Sequence, residues 1–231
     1  VGRALTLGLA EAGFDIVLTW RSSEAEAAAT AEAVQRMGAR CWSIQGDLEG
    51  AGEVERIIEA VRSGPGRLDL LVNSAASFDP TPLMETDSES WDRVQNVNTR
   101  APHLLTRGCV DLLRASDQPG GGAVVNICDH MGITPWVRYG AHSVSKAALA
   151  HLTRVQALAL APGVRVNAVA PGLVLAPDGL PPERLQSEID RAPLKRSGTP
   201  EDIVQAVLYL ARAPFVTGHI LMVDGGATLR G

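Results

Sequence analysis

The sequence predicts an α/β fold, with a mostly parallel sheet covered by helices on both faces. Three observations predict it. Short apolar runs, such as 123–127 and 164–170, read as buried strands. They alternate with longer stretches whose apolar residues recur at helical spacing, which is the pattern of strand–helix–strand units. A chain of 231 residues suffices for one such core, and no repeat, low-complexity tract or composition shift divides it, so residues 1–231 read as a single domain.

The elements follow in order. Residues 2–12 repeat apolar positions at helical spacing and stop at Gly13, a good C-cap residue. Residues 14–19 alternate as a strand that closes on Trp20, Arg21, Ser22 and Ser23. An Ala/Glu-rich helix is expected over 23–37 and a strand over 40–45, ending at Gly46, Asp47 and Leu48. Asp47 is also a candidate cap for the helix that starts near Gly52. Residues 68–72 form a short buried strand, followed by Asn73, Ser74, Ala75 and Ala76. Asp87 or Ser88 caps a long helix running through Trp91, Val94 and Val97 toward Leu113. Asn98 falls inside that helix, where an amide is mildly unfavourable, so it reads either as a polar working residue or as a buried amide at a kink. The strand at 123–127 ends at Cys128 and Asp129, and His142 and Lys146 lie one turn apart at the start of a helix expected over 139–159. A carboxylate at a strand end and a His/Lys pair at a helix start can face one cleft, where proton chemistry is plausible. After the strand at 164–170 come Pro171, Gly172, Leu173 and Val174. Residues 174–198 are proline-rich and suit a substrate lid. Pro200 begins a helix to Ala211, and 220–223 is the last strand.

Composition excludes several function classes. The net charge of −5 has both signs mixed along the chain, so there is no basic footprint for nucleic acid and no polybasic membrane patch. No apolar run reaches the ~20 residues a membrane span needs. Cys41, Cys109 and Cys128 are widely spaced in apolar surroundings, which reads as buried thiols in a reducing compartment rather than a disulfide set or a metal site. A cytoplasmic protein acting on a small molecule, without metal, nucleic-acid or membrane partner, is the expectation.

The stretch from Asn126 to Lys146 resembles the short-chain dehydrogenase/reductases, whose signature is Tyr-x-x-x-Lys with a Ser thirteen residues before the Tyr. Here Lys146 is kept, His142 stands in the Tyr position, and Asp129 stands where the Ser is usual. Asp129 and the loop with Phe78 are similar to the pteridine-reductase branch. The resemblance implies a single Rossmann-type, doubly wound parallel sheet and places NADP(H) along its strand ends. It implies that a strand and most of a Gly-rich turn come before Val1, with Gly2 as the last glycine of that turn, at a helix N-terminus that receives phosphate. Arg21 and Ser22 then suit a 2′-phosphate through charge-assisted hydrogen bonds, so NADP(H) is expected rather than NAD. Asp47 meets the adenine edge, and Leu48 supplies a backbone contact. Asn73 and Ala75 border the cofactor. The backbone of Pro171, Gly172 and Leu173 meets the nicotinamide carboxamide, and Lys146 holds the nicotinamide ribose. Phe78 stacks on a flat substrate ring. Asn98, Asp129, His142 and Lys146 form the expected catalytic cluster. A homodimer or homotetramer is implied, with the helices at 88–114 and 139–159 as the pairing surfaces.

His in place of Tyr leaves the function open among three readings. An imidazole titrates near neutrality and reaches less far than a phenol. A C=N bond needs less acid power than a ketone, and Asp129 either helps protonate a ring nitrogen or accepts from an amino group. That favours a pterin or dihydrofolate-like substrate. A general carbonyl or 3-oxoacyl reductase is the alternative, and a catalytically impaired NADPH-binding relative is the third. Tyr139, one turn before His142, could fill the gap if the helix starts early.

Overall fold

The computed structural model describes residues 1–175 and 181–230. Helix α1 (Gly2–Glu11) leads to strand β1 (Ile16–Trp20), and α2 (Glu24–Arg36) leads to β2 (Cys41–Gln45). Next come α3 (Ala51–Ser63), β3 (Leu70–Asn73) and α4 (Ser88–Gln95). A π-helical turn, Asn96–Arg100, joins α4 to α5 (Ala101–Gly108), and α6 (Val110–Arg114) follows. The second half holds β4 (Gly122–Ile127), α7 (Gly140–Leu160), β5 (Val164–Pro171), α8 (Pro182–Arg191), α9 (Pro200–Arg212) and β6 (Ile220–Val223). This is the expected α/β architecture. Part of the lid expected over 174–198 lies outside the described residues.

Every strand pairing is parallel, in two groups: β1–β2, and β3–β4–β5–β6. β4 and β5 sit at the centre and are buried along almost their whole length, hence their unbroken apolar runs. Among the described residues, β1 and β3 each have one paired edge. A cavity of about 1000 Å³ lies along them, lined by Ile16, Val17 and Leu18 on one side and by Leu70, Leu71 and Val72 on the other. The main apolar core bridges the two groups through side chains, with Leu5 and Leu9 of α1 and Val34 of α2 packing with Val125, Val169 and Ile203.

Three expectations are corrected. Gly50, not Asp47, is the N-cap of α3, and Asp47 instead accepts from the Glu49 amide at 3.0 Å, a short local turn. The helix expected over 88–114 is broken twice, once at Asn98, where the resemblance implies a kink, and once further on. The π-helical turn widens it at Asn98, Pro102 sits in the first turn of the next segment, and a second interruption falls at Cys109. Tyr139 lies just before α7 rather than within it, and its ring stacks on Phe78 with centroids 4.6 Å apart. Of the two capping candidates for α4, Asp87 takes the role, accepting from the Ser90 amide at 2.7 Å.

Arg165 anchors the far end of β5. It is buried, and its guanidinium donates to the carbonyls of Leu210 and Ala211 (both 2.7 Å) and of Ala213 (2.9 Å) at the C-terminus of α9, and to Gly120 (3.3 Å). A cation there also meets the negative end of the helix dipole.

Candidate active site at the strand ends

The site is built where β3, β4 and β5 stop. Asn73 at the end of β3 donates to Asn126 at the end of β4 (2.7 Å), and Asn126 donates to Thr153 of α7 (2.9 Å). This buried amide chain ties the strand ends to the helix. It leaves the Asn73 Oδ1 buried without a partner among the described residues.

The π-helical turn carries Asn98 to full burial. Its oxygen accepts from the Ser77 amide (2.7 Å), and its nitrogen donates to the Ser77 carbonyl and to the Ser145 hydroxyl (both 2.9 Å). Asn98 therefore fixes the loop after β3 against α7, and both of its amide protons are spent on protein. Its nitrogen also lies 3.4 Å from His142 Nδ1, with no proton left over for that contact.

His142 projects from the first turn of α7, with a side chain only 3% exposed. Nδ1 lies 3.2 Å from the Ser77 carbonyl and Nε2 lies 3.4 Å from Asp129 Oδ2. Both ring nitrogens thus face oxygen atoms. The Phe78 ring meets it edge-on at 4.8 Å.

Asp129 collects donors from three directions. Oδ1 accepts from the Met131 amide (2.8 Å) and lies 3.0 Å from His130 Nδ1, and Oδ2 faces His142. Burial alone would raise its pKa. The hydrogen bonds from His130 and His142, helped by the His130 charge and the Met131 amide, outweigh burial and hold it below the ordinary carboxylate range. Asp129 is thus a carboxylate, 23% exposed, at the mouth of the site.

Lys146 is buried one turn further along α7, and its Nζ donates to the Ile127 carbonyl at 2.8 Å. Burial lowers its pKa, against the opposing pull of Cys128 and Asp129. It does not reach His142. With one acceptor among the described residues, the ammonium has two further protons for a ligand.

Gly2 opens α1, and a Cβ there would lie 3.9 Å from the Ser74 hydroxyl, so the helix N-terminus abuts the end of β3. Gly2, Leu48, Asn73, Ser74 and Ala75 line one end of the long cavity. Arg21 and Ser22 are exposed just past β1, and the Arg21 carbonyl is held by Gln45 Nε2 (3.1 Å). A Cβ on Gly172 would come within 2.8 Å of the Asp224 backbone, so only glycine fits at that turn. The Leu173 carbonyl is occupied by the Gly198 amide (2.9 Å). Among the described residues, the α1 N-terminus, exposed Arg21, Lys146 and the unpartnered Asn73 oxygen are a donor and acceptor set that fits a dinucleotide.

Phe78 is 43% exposed and has one neighbouring ring stacked on it, Tyr139. Trp136 lies 6.3 Å from Tyr139 and 5.5 Å, edge to face, from His130. The aromatic wall is therefore wider than Phe78 alone. Sequence reasoning also missed His130, Ser77 and Ser145. The only signal for His130 was its place next to Asp129. Among the described residues, no group of three or more His, Cys, Asp or Glu could hold a metal, and no helix is long and apolar enough to cross a membrane.

A family model described as enoyl-(acyl carrier protein) reductase matches residues 1–228. The chain is 36% identical to an uncharacterized oxidoreductase of Mycobacterium tuberculosis, over 99% of this chain and 88% of that protein. It is 31% identical to the 3-oxoacyl-[acyl-carrier-protein] reductase FabG of Staphylococcus aureus, over 98% and 93%. The solved structure of FolM, alternative dihydrofolate reductase 1 of Brucella canis, complexed with NADP, superposes with a TM-score of 0.90 at 31% identity, covering 98% of this chain and 89% of that one.

Proposed function

The chain belongs to the short-chain dehydrogenase/reductase family, and from that premise we propose that it is an NADPH-dependent reductase of a C=N bond in a pterin or dihydrofolate-like ring. The observation that carries this reading is Asp129, an ionised carboxylate at the cleft mouth beside a half-exposed Phe78. A flat amino-heterocycle gives its amino protons to the carboxylate and its face to the aromatic wall. The likeness to FolM points the same way.

NADPH, when bound, supplies the hydride. Arg21 and Ser22 hold its 2′-phosphate, the α1 N-terminus at Gly2 its diphosphate, and Asp47 and Leu48 its adenine end. Asn73 and Ala75 would border it, and Lys146 would hold its ribose. The turn at Pro171, Gly172 and Leu173 keeps the nicotinamide end in place. Asn98 and His142 hold the Ser77 backbone and Asp129 in register. Val144, Val155 and Leu158, exposed on α7, support pairing with a second copy into a homodimer or homotetramer.

General carbonyl reduction is the second reading, favoured by the likeness to FabG. NADPH oxidation followed with dihydrobiopterin, dihydrofolate and a 3-oxoacyl thioester separates the two. The pterin reading expects kcat/KM on a dihydropterin at least about tenfold above that on the thioester. Turnover of the thioester alone would refute it. Tight NADPH binding with no turnover of any of the three would make the protein a silent cofactor binder.

A further inference from the structure

We propose that His130 is the proton donor of this site, giving the proton on its Nε2 to substrate while Asp129 orients its Nδ1; the inference rests on the reductase reading above. The starting point is the supply of protons. Hydride addition to C=N leaves an electron pair on nitrogen that must be protonated. Asp129 accepts from the Met131 amide, faces two imidazoles and is held ionised, so it has no proton to give. His142 spends both nitrogens on the Ser77 carbonyl and Asp129, and its side chain is sealed at 3% exposure. Lys146 is turned into the Ile127 carbonyl. Tyr139 packs ring to ring on Phe78 and has no hydrogen-bond partner among the described residues to orient it.

His130 has what these groups lack. Its Nδ1 lies 3.0 Å from Asp129 Oδ1 and 3.2 Å from the Pro171 carbonyl. A carbonyl can only accept, so this contact fixes the hydrogen on Nδ1 and leaves Nε2 as the working nitrogen. Nε2 has no partner among the described residues, and the side chain is 16% exposed. Trp136 meets the ring edge-on at 5.5 Å and limits its rotation. A carboxylate on Nδ1 with Nε2 free is the arrangement by which an imidazole serves as general acid or base. The ring also bridges the end of β4 to the turn at Pro171, between the two sides of the site.

The charges around it support the role. Burial alone would lower the His130 pKa. The hydrogen bond and charge of Asp129, the Pro171 carbonyl and the more distant Asp224 outweigh burial and raise it. His142 faces the other carboxylate oxygen of Asp129, at 3.4 Å.

The step balances. Hydride from NADPH forms the new C–H bond as the C=N π bond opens, and the nitrogen takes the Nε2 proton. NADPH becomes NADP⁺, the imidazolium becomes neutral imidazole, and solvent returns the proton.

Two measurements decide it. In His130→Asn the side-chain amide still donates toward Asp129 and Pro171 but has no proton to lose. The expected result is a fall in kcat of about 100-fold or more with KM for NADPH within about twofold. Wild-type kcat should decline tenfold per pH unit above the His130 pKa, a decline absent in His130→Asn and still present in His142→Asn. His130→Asn with wild-type kcat, or an alkaline decline that vanishes in His142→Asn instead, overturns the proposal. The second readout needs no turnover: NMR titration of the His130 ring in the NADP⁺ complex. Its midpoint should lie above that of an ordinary histidine and drop in Asp129→Asn. An unmoved midpoint overturns the proposal even if no substrate is turned over. Failure of the wild type on every C=N substrate would sink the reductase reading by itself.

Discussion

Lys146→Met is expected to abolish NADPH turnover while leaving the fold at least as stable as before. The ammonium is fully buried against one carbonyl, and burial has pulled its pKa down. A lysine with a depressed folded-state pKa costs the fold most below that value, and the cost fades as pH rises through and beyond it. Methionine fills a similar volume without a charge, and replacing a buried ion by an apolar side chain is often neutral or stabilising. We expect a gain of about 1 kcal/mol at neutral pH, seen as a melting temperature about 2–4 °C higher. Turnover should fall about 100- to 1000-fold, because the two protons left for the cofactor are gone. Melting curves paired with NADPH titrations check both halves. A variant that melts lower yet keeps its turnover would mean that Lys146 serves the fold alone.

Arg165→Met should do the opposite, damaging the fold without touching the strand-end cluster. One planar fork serves four carbonyls, and three of them belong to the last turn of α9 and the residue after it. Hydrogen bonds from a charged group contribute about 1.5–3 kcal/mol each, and truncating one side of a buried charged network costs about 3–5 kcal/mol in all. For a chain of this size, that lowers the melting temperature by roughly 10 °C. Arg165→Lys should recover only part of the loss, because a single ammonium cannot span the same acceptors. A melting temperature within about 2 °C of wild type in the Met variant would remove Arg165 from any account of how α9 is held.

Much of this was legible in the residues. β4 and β5 could be read because strands buried on both faces need unbroken apolar runs, and theirs are unbroken. β1 starts two residues later than its alternation suggests. Asp15, inside the apparent strand, instead turns its carboxylate to the Arg40 amide and guanidinium. The break at Asn98 could be read from an amide inside an apolar helix pattern, whereas the one at Cys109 left no mark in the apolar spacing. Asp129, His142 and Asn98 do come together, as their motif spacing implied. What spacing could not give was the traffic between them. Asn98 reads the backbone of Ser77, and His130 turns back on Asp129 through a tight loop. Contacts to backbone carbonyls carry no side-chain signature, so a histidine beside an aspartate in a loop looked like ordinary punctuation.

The uneven burial of the strands has a consequence for how the molecule breathes. β4 and β5 are buried along almost their whole length and each is paired on both sides, whereas β2 and β6 are half-buried or exposed and have one partner each among the described residues. Segments with few buried contacts open at a lower free energy than the core. Native-state amide exchange reads this directly: the protons of β2 and β6 should exchange well before those of Val124, Val125 and Val166. Uniform protection across these four strands would show that burial does not set the order of opening.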